Sequence, residues 1–329
     1  MLTKTTKNIF KNILKQFYNI KSFSSNDANA LMKEPQYPKR IFSGIQPTGA
    51  IHLGNYLGAI AQWVKLQNQK EDIILSIADL HSITLPHGPK KLSKNILEIA
   101  ATLLGCGIDP EKVILFQQSA VPTHTELCWC LGCISTMARA THVPVGEDQV
   151  QQIQLTQDLA RMFNSRFGNT FPIPHTIITG TEYARLRSLR DPLKKMSKSD
   201  PDPKSRICLT DKPDDIVRNI KKARPGVSNL ISIHSFVTNK TVDDICREAG
   251  NINTGEYKLL VADAVISYIK PIQEKIFYFL SNEQYLLDIL KQGGEKAAEI
   301  SEQNMEEVRY KLGLKFKIKS KQKVKMSVL

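Results

Sequence analysis

Gly44-Ile45-Gln46-Pro47-Thr48-Gly49-Ala50-Ile51-His52-Leu53-Gly54-Asn55-Tyr56-Leu57-Gly58 is the stretch whose reading decides the fold. An apolar run, Arg40 to Ile45, leads into it. A Pro/Gly turn follows, and Leu57, Ile60, Ala61 and Val64 then share one face of a periodic segment. The pattern predicts a strand, a tight loop and a helix, with His52 to Asn55 at the helix mouth. A helix N-terminus presents unpaired N–H groups and a positive dipole end, which suits phosphate. Gly54 and Gly58 carry no Cβ, so a flat base or a neighbouring backbone can approach. His52 adds a donor able to meet a phosphoryl oxygen, and Asn55 an uncharged one. The plain alternative is a β-turn-α corner whose glycines only aid packing.

Working outward, the chain alternates. Strands are expected at Asp72 to Ala78, Val113 to Phe116, Val143 to Val145 and Ile173 to Ile178. Helices are expected at Ser93 to Leu104, Thr123 to Met137 and Glu147 to Phe163, the last with acids at its favoured end. Such alternation predicts an α/β fold, a doubly wound parallel sheet with helices on both faces. Ligands of these sheets bind beyond the carboxyl ends of the strands. After Pro203 the texture becomes helical: Asp214 to Ala223, Ser228 to Val237, Thr241 to Ala249, Gly255 to Leu280, then two more to Leu312. Pro271 is expected to kink or break the long one. The division is 1–38 as head and linker, 39–206 as the Rossmann-like domain, 207–314 as a small all-helical domain and 315–329 as a basic tail.

Charge is unevenly placed. The net formal charge is +13, yet residues 1–25 hold five lysines and no acid, and 309–329 hold eight basic residues and no acid. With those thirteen set aside the body carries 32 basic and 32 acidic residues. A nucleic-acid surface must therefore come from local patches rather than bulk charge. The head, with Ile9, Phe10, Ile13, Leu14 and Phe17 among its lysines, has the composition of a mitochondrial transit peptide, and a basic surface helix is the alternative. The alternating lysines of Lys315 to Lys325 fit a solvated end, or a grip on RNA phosphates. No apolar run approaches the ~20 residues of a membrane span. Six cysteines in 329 residues do not suggest a disulfide framework. Cys128, Cys130 and Cys133 lack the second ligand pair of a zinc site, so buried packing is expected of them.

Far downstream, Asp191-Pro192-Leu193-Lys194-Lys195-Met196-Ser197-Lys198-Ser199-Asp200-Pro201 forms a basic loop between prolines. With His52-Leu53-Gly54-Asn55 it resembles the two signatures of class I aminoacyl-tRNA synthetases, the His-Ile-Gly-His type and Lys-Met-Ser-Lys-Ser. Gly44 to Gly58 and Val143-Pro144-Val145-Gly146-Glu147-Asp148-Gln149 are similar to bacterial and organellar tryptophanyl-tRNA synthetases, over about Lys39 to Leu314. The resemblance implies attack of an amino-acid carboxylate on the α-phosphorus of ATP, carried with Mg²⁺, then transfer to tRNA(Trp). It assigns catalysis to His52, Asn55, Lys195 and Lys198. By the same pattern Gln46, Pro47, Thr48, Gly54 and Asn55 contact ATP, as do Gly146, Glu147, Asp148, Leu186, Lys195, Met196, Ser197, Lys198 and Ser199. Phe42 resembles an indole-packing residue, and Gln149 one that meets the amino group of tryptophan. Asp79 and His81 are expected nearby, His81 more plausibly structural. The family further implies a helical domain that reads the anticodon, a homodimer, and here a place in the mitochondrial matrix. A tyrosine-type synthetase of the same superfamily is a competing reading, since composition and periodicity do not choose the amino acid.

Two departures from the family pattern stand out. Several tens of residues separate the Thr123 to Met137 helix from Val-Pro-Val-Gly-Glu-Asp in the family, and supply much of the tryptophan pocket, an indole-binding aspartate and part of the dimer contact. Here Ser135-Thr136-Met137-Ala138-Arg139-Ala140 runs almost directly into Thr141-His142-Val143-Pro144. A shorter omission lies at Lys221 to Gly226. A parallel crossover needs about a dozen residues, so folding is not forbidden. A site without a partner for the indole N–H discriminates poorly. The expectation is a chain that binds ATP and activates tryptophan weakly or not at all, as a truncated isoform or incomplete gene model.

Overall fold

The computed structural model describes residues 40–84, 88–134, 149–173, 186–198, 200–224, 227–250 and 252–315. The expected strands at 143–145 and 174–178, Ser199, the Gly146-Glu147-Asp148 turn, the head and most of the tail lie outside the described residues.

β1 (Ile41–Ile45), β2 (Ile73–Ile77) and β3 (Val113–Gln117) form a parallel sheet in that order. Ile41 lies opposite Ile73, and Ile73 opposite Val113. Every residue of β2 is buried, as a central parallel strand requires. The first crossover, α1, is one continuous helix: Leu53–Asn55, a π-helical Tyr56–Ile60, then Ala61–Asn68. After the short α2 (Asp79–Ser82) comes α3 (Pro89–Gly105), starting a turn before the apolar periodicity because Pro89 is pre-set for the first helical position. α4 (Thr123–Ile134) follows β3 through a 3₁₀ turn, Gln118–Ala120. α5 spans Gln149–Phe167, ending a turn later than the acid-led pattern suggests; Gly168 and the Asn164 side chain, which accepts from Thr170 and Phe171 N–H, close it.

The helical remainder is α6 (Pro213–Lys221), α7 (Val227–Thr238), α8 (Val242–Ala249), α9 (Thr254–Leu280) and α10 (Glu283–Lys311). Two expectations are corrected. Pro271 does not break α9, because Val265, Ile269 and Ile276 keep one buried face on both sides of it. That burial outweighs the ~3 kcal/mol a helix-interior proline costs. A single helix, not two, follows. α10 runs through Gly293-Gly294, packed so tightly on β3 that a Cβ at Gly293 would sit 1.8 Å from the Leu115 carbonyl oxygen.

One hydrophobic core runs from Ile41 through the sheet, α1 and α3 into Ile216, Ile233, Val265 and Leu290 of the helical part. The far end of α10 gathers α4 and α5. Phe163, Met305 and Val308 are buried together against Leu127, Leu131 and Phe167. Arg309 donates to both oxygens of Glu126 (2.7 and 2.6 Å) and to Glu302, and Lys311 donates to Asn169 O (2.9 Å) beyond the end of α5. Of the three clustered cysteines only Cys130 is buried; Cys128 and Cys133 are exposed. Leu127, Cys130 and Leu131 take the face turned to α10, which leaves Cys128, Trp129 (75% exposed) and Cys133 on the other.

Candidate functional site

His52 is the N-cap of α1. Its Nδ1 accepts from Asn55 N–H at 3.2 Å, and the Asn55 side-chain oxygen faces the His52 N–H at 3.4 Å, a reciprocal capping box. With Nδ1 used as an acceptor, the proton of the neutral ring belongs on Nε2, so a single N–H donor remains for a ligand. The ring is 2% exposed. Burial first, then the positive charges of Lys198, Arg206 and Lys195, lower its pKa to about 3, so the ring is neutral at pH 7. The incoming loop is fixed as well: Gly49 holds a φ of 135°, open to glycine, and Asn95 of α3 donates to Pro47 O at 2.9 Å. Thr48 is half-buried in it.

The basic loop is a folded turn. Met196 N–H donates to Leu186 O and Ser188 N–H to Lys194 O, both at 2.9 Å, while Lys194 pairs with Asp191 at 3.3 Å. Leu186 and Met196 are buried, which seats the turn; Lys195 is exposed. After the 3₁₀ turn Pro203–Ser205, the chain pairs antiparallel with the α1 entrance: Leu53 N–H to Ile207 O (2.8 Å) and Leu209 N–H to Ile51 O (2.9 Å), with His52 opposite Cys208.

These pairings bring together two stretches more than 140 residues apart. A Cβ on Gly54 would meet the Met196 Cβ at 3.7 Å and the His52 ring at 3.1 Å, so glycine is what lets loop, ring and helix mouth share the space. Lys198 Nζ reaches across to Gln46 O at 3.5 Å, and burial holds its pKa down to about 8. Lys198, expected to stand on an exposed loop, is thus largely covered, because the turn folds back onto Gln46. Among the described residues neither Lys195, Lys198 nor Arg206 pairs with a carboxylate within ion-pair distance. Two residues missed by motif reading therefore belong to the same region, Arg206 and Cys208. The Cys208 thiol is pushed up to about 11 by burial and the nearby Asp211, and so stays protonated. Alternation around Ile207 and Leu209, both fully buried, was the available signal.

Other expected residues are placed differently. Asp79 is buried as a structural hub, accepting from Leu80 N–H, Ser119 N–H, Ser119 Oγ and Gln117 Nε2 at 2.5–3.0 Å, and so ties β2 to the turn after β3. His81 is exposed. Phe42 on β1 is 61% exposed. Gln149 begins α5, and Gly146, Glu147, Asp148 and Ser199 lie outside the described residues. Among the described residues no group of three His, Cys, Asp or Glu side chains could hold a metal ion, and no helix is long and apolar enough to cross a membrane.

The family model described as class I tRNA synthetases (W and Y) matches this chain in two pieces, residues 33–142 and 135–275, which meet over 135–142. A tryptophan–tRNA ligase of Caldanaerobacter subterraneus is 39% identical, covering 84% of this chain and 98% of the relative. A mitochondrial tryptophan–tRNA ligase of Dictyostelium discoideum is 37% identical, over 83% of this chain and 96% of the relative. The Caldanaerobacter alignment spans 326 positions; 84% of 329 residues is about 276, so about 50 positions have no counterpart in this chain. Among solved structures, tryptophanyl-tRNA synthetase from Campylobacter jejuni, complexed with ADP and tryptophan, superposes with a TM-score of 0.74 at 25% identity, over 84% of this chain and all of that one.

Proposed function

The chain belongs to the class I tRNA synthetases of the W and Y type, and on that premise we propose that it is a tryptophan–tRNA ligase of bacterial and organellar kind. The observation that carries this reading is the meeting of the two signatures: Lys198 against Gln46, and Met196 against Gly54, around a neutral, buried His52. The resulting site is cationic: among the described residues Lys195, Lys198 and Arg206 have no carboxylate within ion-pair distance. It is suited to a polyphosphate, with Mg²⁺ arriving on the ATP rather than held by resident ligands.

In the first step the tryptophan carboxylate attacks the α-phosphorus, and the bond to the bridging oxygen of pyrophosphate breaks. Such a transfer needs positioning and charge more than covalent help. His52 donates through Nε2 to a phosphoryl oxygen, and its neutrality keeps it a hydrogen-bond donor rather than a fixed cation. Lys198 and Lys195 neutralise the departing pyrophosphate. Asn55 holds the His52 backbone and so fixes the ring. Gln46, Pro47 and Thr48 line the nucleotide from below. Gly54 and Leu186 allow the base to approach, and Met196 and Ser197 close over it with Ser199. Gly146, Glu147 and Asp148 take the ribose. Phe42 and Gln149 take the indole and amino ends of tryptophan, and the exposure of Phe42 leaves it accessible. The second step passes the aminoacyl group to tRNA(Trp), whose anticodon the helical part reads. The acid-free basic head and the mitochondrial Dictyostelium relative favour the mitochondrial matrix.

A second reading has its own support. The family model breaks at 135–142, about 50 positions of the relative are absent, and the apolar face of α4 beside that junction leaves Trp129 exposed. On this reading the chain binds ATP but lacks the part that selects tryptophan. ATP–pyrophosphate exchange, run with tryptophan and tyrosine side by side, tests both. Exchange with tryptophan alone supports the ligase, ATP binding without exchange supports the second reading, and exchange driven by tyrosine overturns both.

A further inference from the structure

Arg206 lies outside both signatures, and we infer that it is a third cation of the polyphosphate site. The inference rests on the ATP reading above.

The backbone pairing places it. Residues 51–53 and 207–209 run antiparallel, with His52 opposite Cys208. Ile51, Leu53, Ile207 and Leu209 are all at most 1% exposed and point into the core. Strand alternation therefore turns His52, Arg206 and Cys208 to the opposite face, the one under the basic loop. The guanidinium lies close enough to the His52 ring for its charge to act on it, after that of Lys198. The guanidinium is located by a second observation: its Nη1 donates to Asp200 O at 2.9 Å, two residues beyond Lys198.

One more N–H group meets the Cys208 sulfur, and the others are what a phosphate would use. Arginine has five donors in a planar fork that matches two phosphate oxygens. The other well-placed arginines of this protein are spent on acids: Arg190 on Asp202 (3.1 Å), Arg218 on Asp215 (2.5 Å), Arg309 on Glu126 and Glu302. Arg206 has no carboxylate within ion-pair distance among the described residues. The acid nearest in sequence, Asp202, is paired with Arg190, and Asp211, which lies close enough to feel the guanidinium charge, accepts from Cys208 N–H at 2.8 Å. A partly covered cation with no carboxylate in direct contact is favoured by a ligand that supplies one. A purely structural role, holding Asp200 O and the Cys208 sulfur, leaves donors of the guanidinium unused.

The test is titration calorimetry of the full chain and of Arg206→Gln and Arg206→Lys, with ATP, inorganic pyrophosphate and adenosine as separate ligands. Loss of one charged contact predicts at least about tenfold weaker ATP and pyrophosphate binding for Arg206→Gln. Adenosine binding stays unchanged, and Arg206→Lys recovers part of the loss because charge returns without the fork. Equal ATP affinity in the wild type and Arg206→Gln overturns the inference. So does a parallel fall in adenosine and ATP affinity, the mark of a structural role. If Arg206→Gln fails to fold, Arg206→Lys decides by the same comparison, since it keeps the charge and loses only the fork. A wild type that binds neither ATP nor pyrophosphate brings down the ATP reading itself, and this inference with it.

Discussion

Lys198→Met should make this protein more stable and less active at once. The ammonium group is largely covered and, among the described residues, hydrogen-bonds only the Gln46 carbonyl at 3.5 Å, and burial moves its pKa from 10.5 to about 8. At roughly 1.4 kcal/mol per decade of proton affinity this is a cost of about 3 kcal/mol to the folded state, an upper figure because the group is not wholly enclosed. The direction with pH follows from proton counting. Between pH 8 and 10.5 the unfolded chain holds this proton and the folded chain does not, so stability rises with pH across that window. The penalty is therefore full at pH 7 and nearly gone at pH 10.5. Methionine fills a similar volume without charge, so urea unfolding should show a gain of about 1–3 kcal/mol at pH 7 that shrinks at pH 10. Pyrophosphate exchange should meanwhile fall about 10²–10³-fold, the usual effect of removing one transition-state contact. Equal or lower stability at pH 7, or a gain indifferent to pH, would refute the argument from burial. Unchanged exchange would remove Lys198 from the chemistry.

Three further outcomes are expected. His52→Asn retains an oxygen able to cap α1, so its melting temperature should stay close to the wild type while adenylate formation is lost. The wild type should also lose stability as pH falls from 6.5 toward 3, where the unfolded chain binds a proton that the buried ring refuses, and acid titration of His52→Asn should lack that component. Gly293→Ala must push α10 off β3, since its Cβ has 1.8 Å to the Leu115 oxygen, and should cost about 3 kcal/mol or more by denaturant unfolding; a loss below about 0.5 kcal/mol contradicts that packing. Protein recovered from mitochondria should begin well beyond Leu2 on N-terminal sequencing, and uniformly cytosolic protein refutes the targeting reading.

Much of this was legible in the sequence because it depends on local chemistry. The run from Arg40 through Gly58 announces strand, turn and helix mouth. His52 and Asn55 stand at the helix mouth, and the lysines of Lys195 to Lys198 declare a basic loop. Burial was equally readable where an apolar run was unbroken, as through Ile73, Ile74 and Leu75 of β2. Neighbours across the fold were not. Nothing in residues 206–209 says that they pair with 51–53, and only that pairing turns Arg206 and Cys208 beneath the loop and leaves His52 neutral. Lys198 looks exposed in sequence and becomes covered because the turn folds onto Gln46. Pro271 reads as a break until both flanks are seen to bury one face. Local signals set each element's form and its chemistry. Charge state, exposure and partnership belonged to the tertiary structure, because desolvation and close approach depend on atoms far away in the chain.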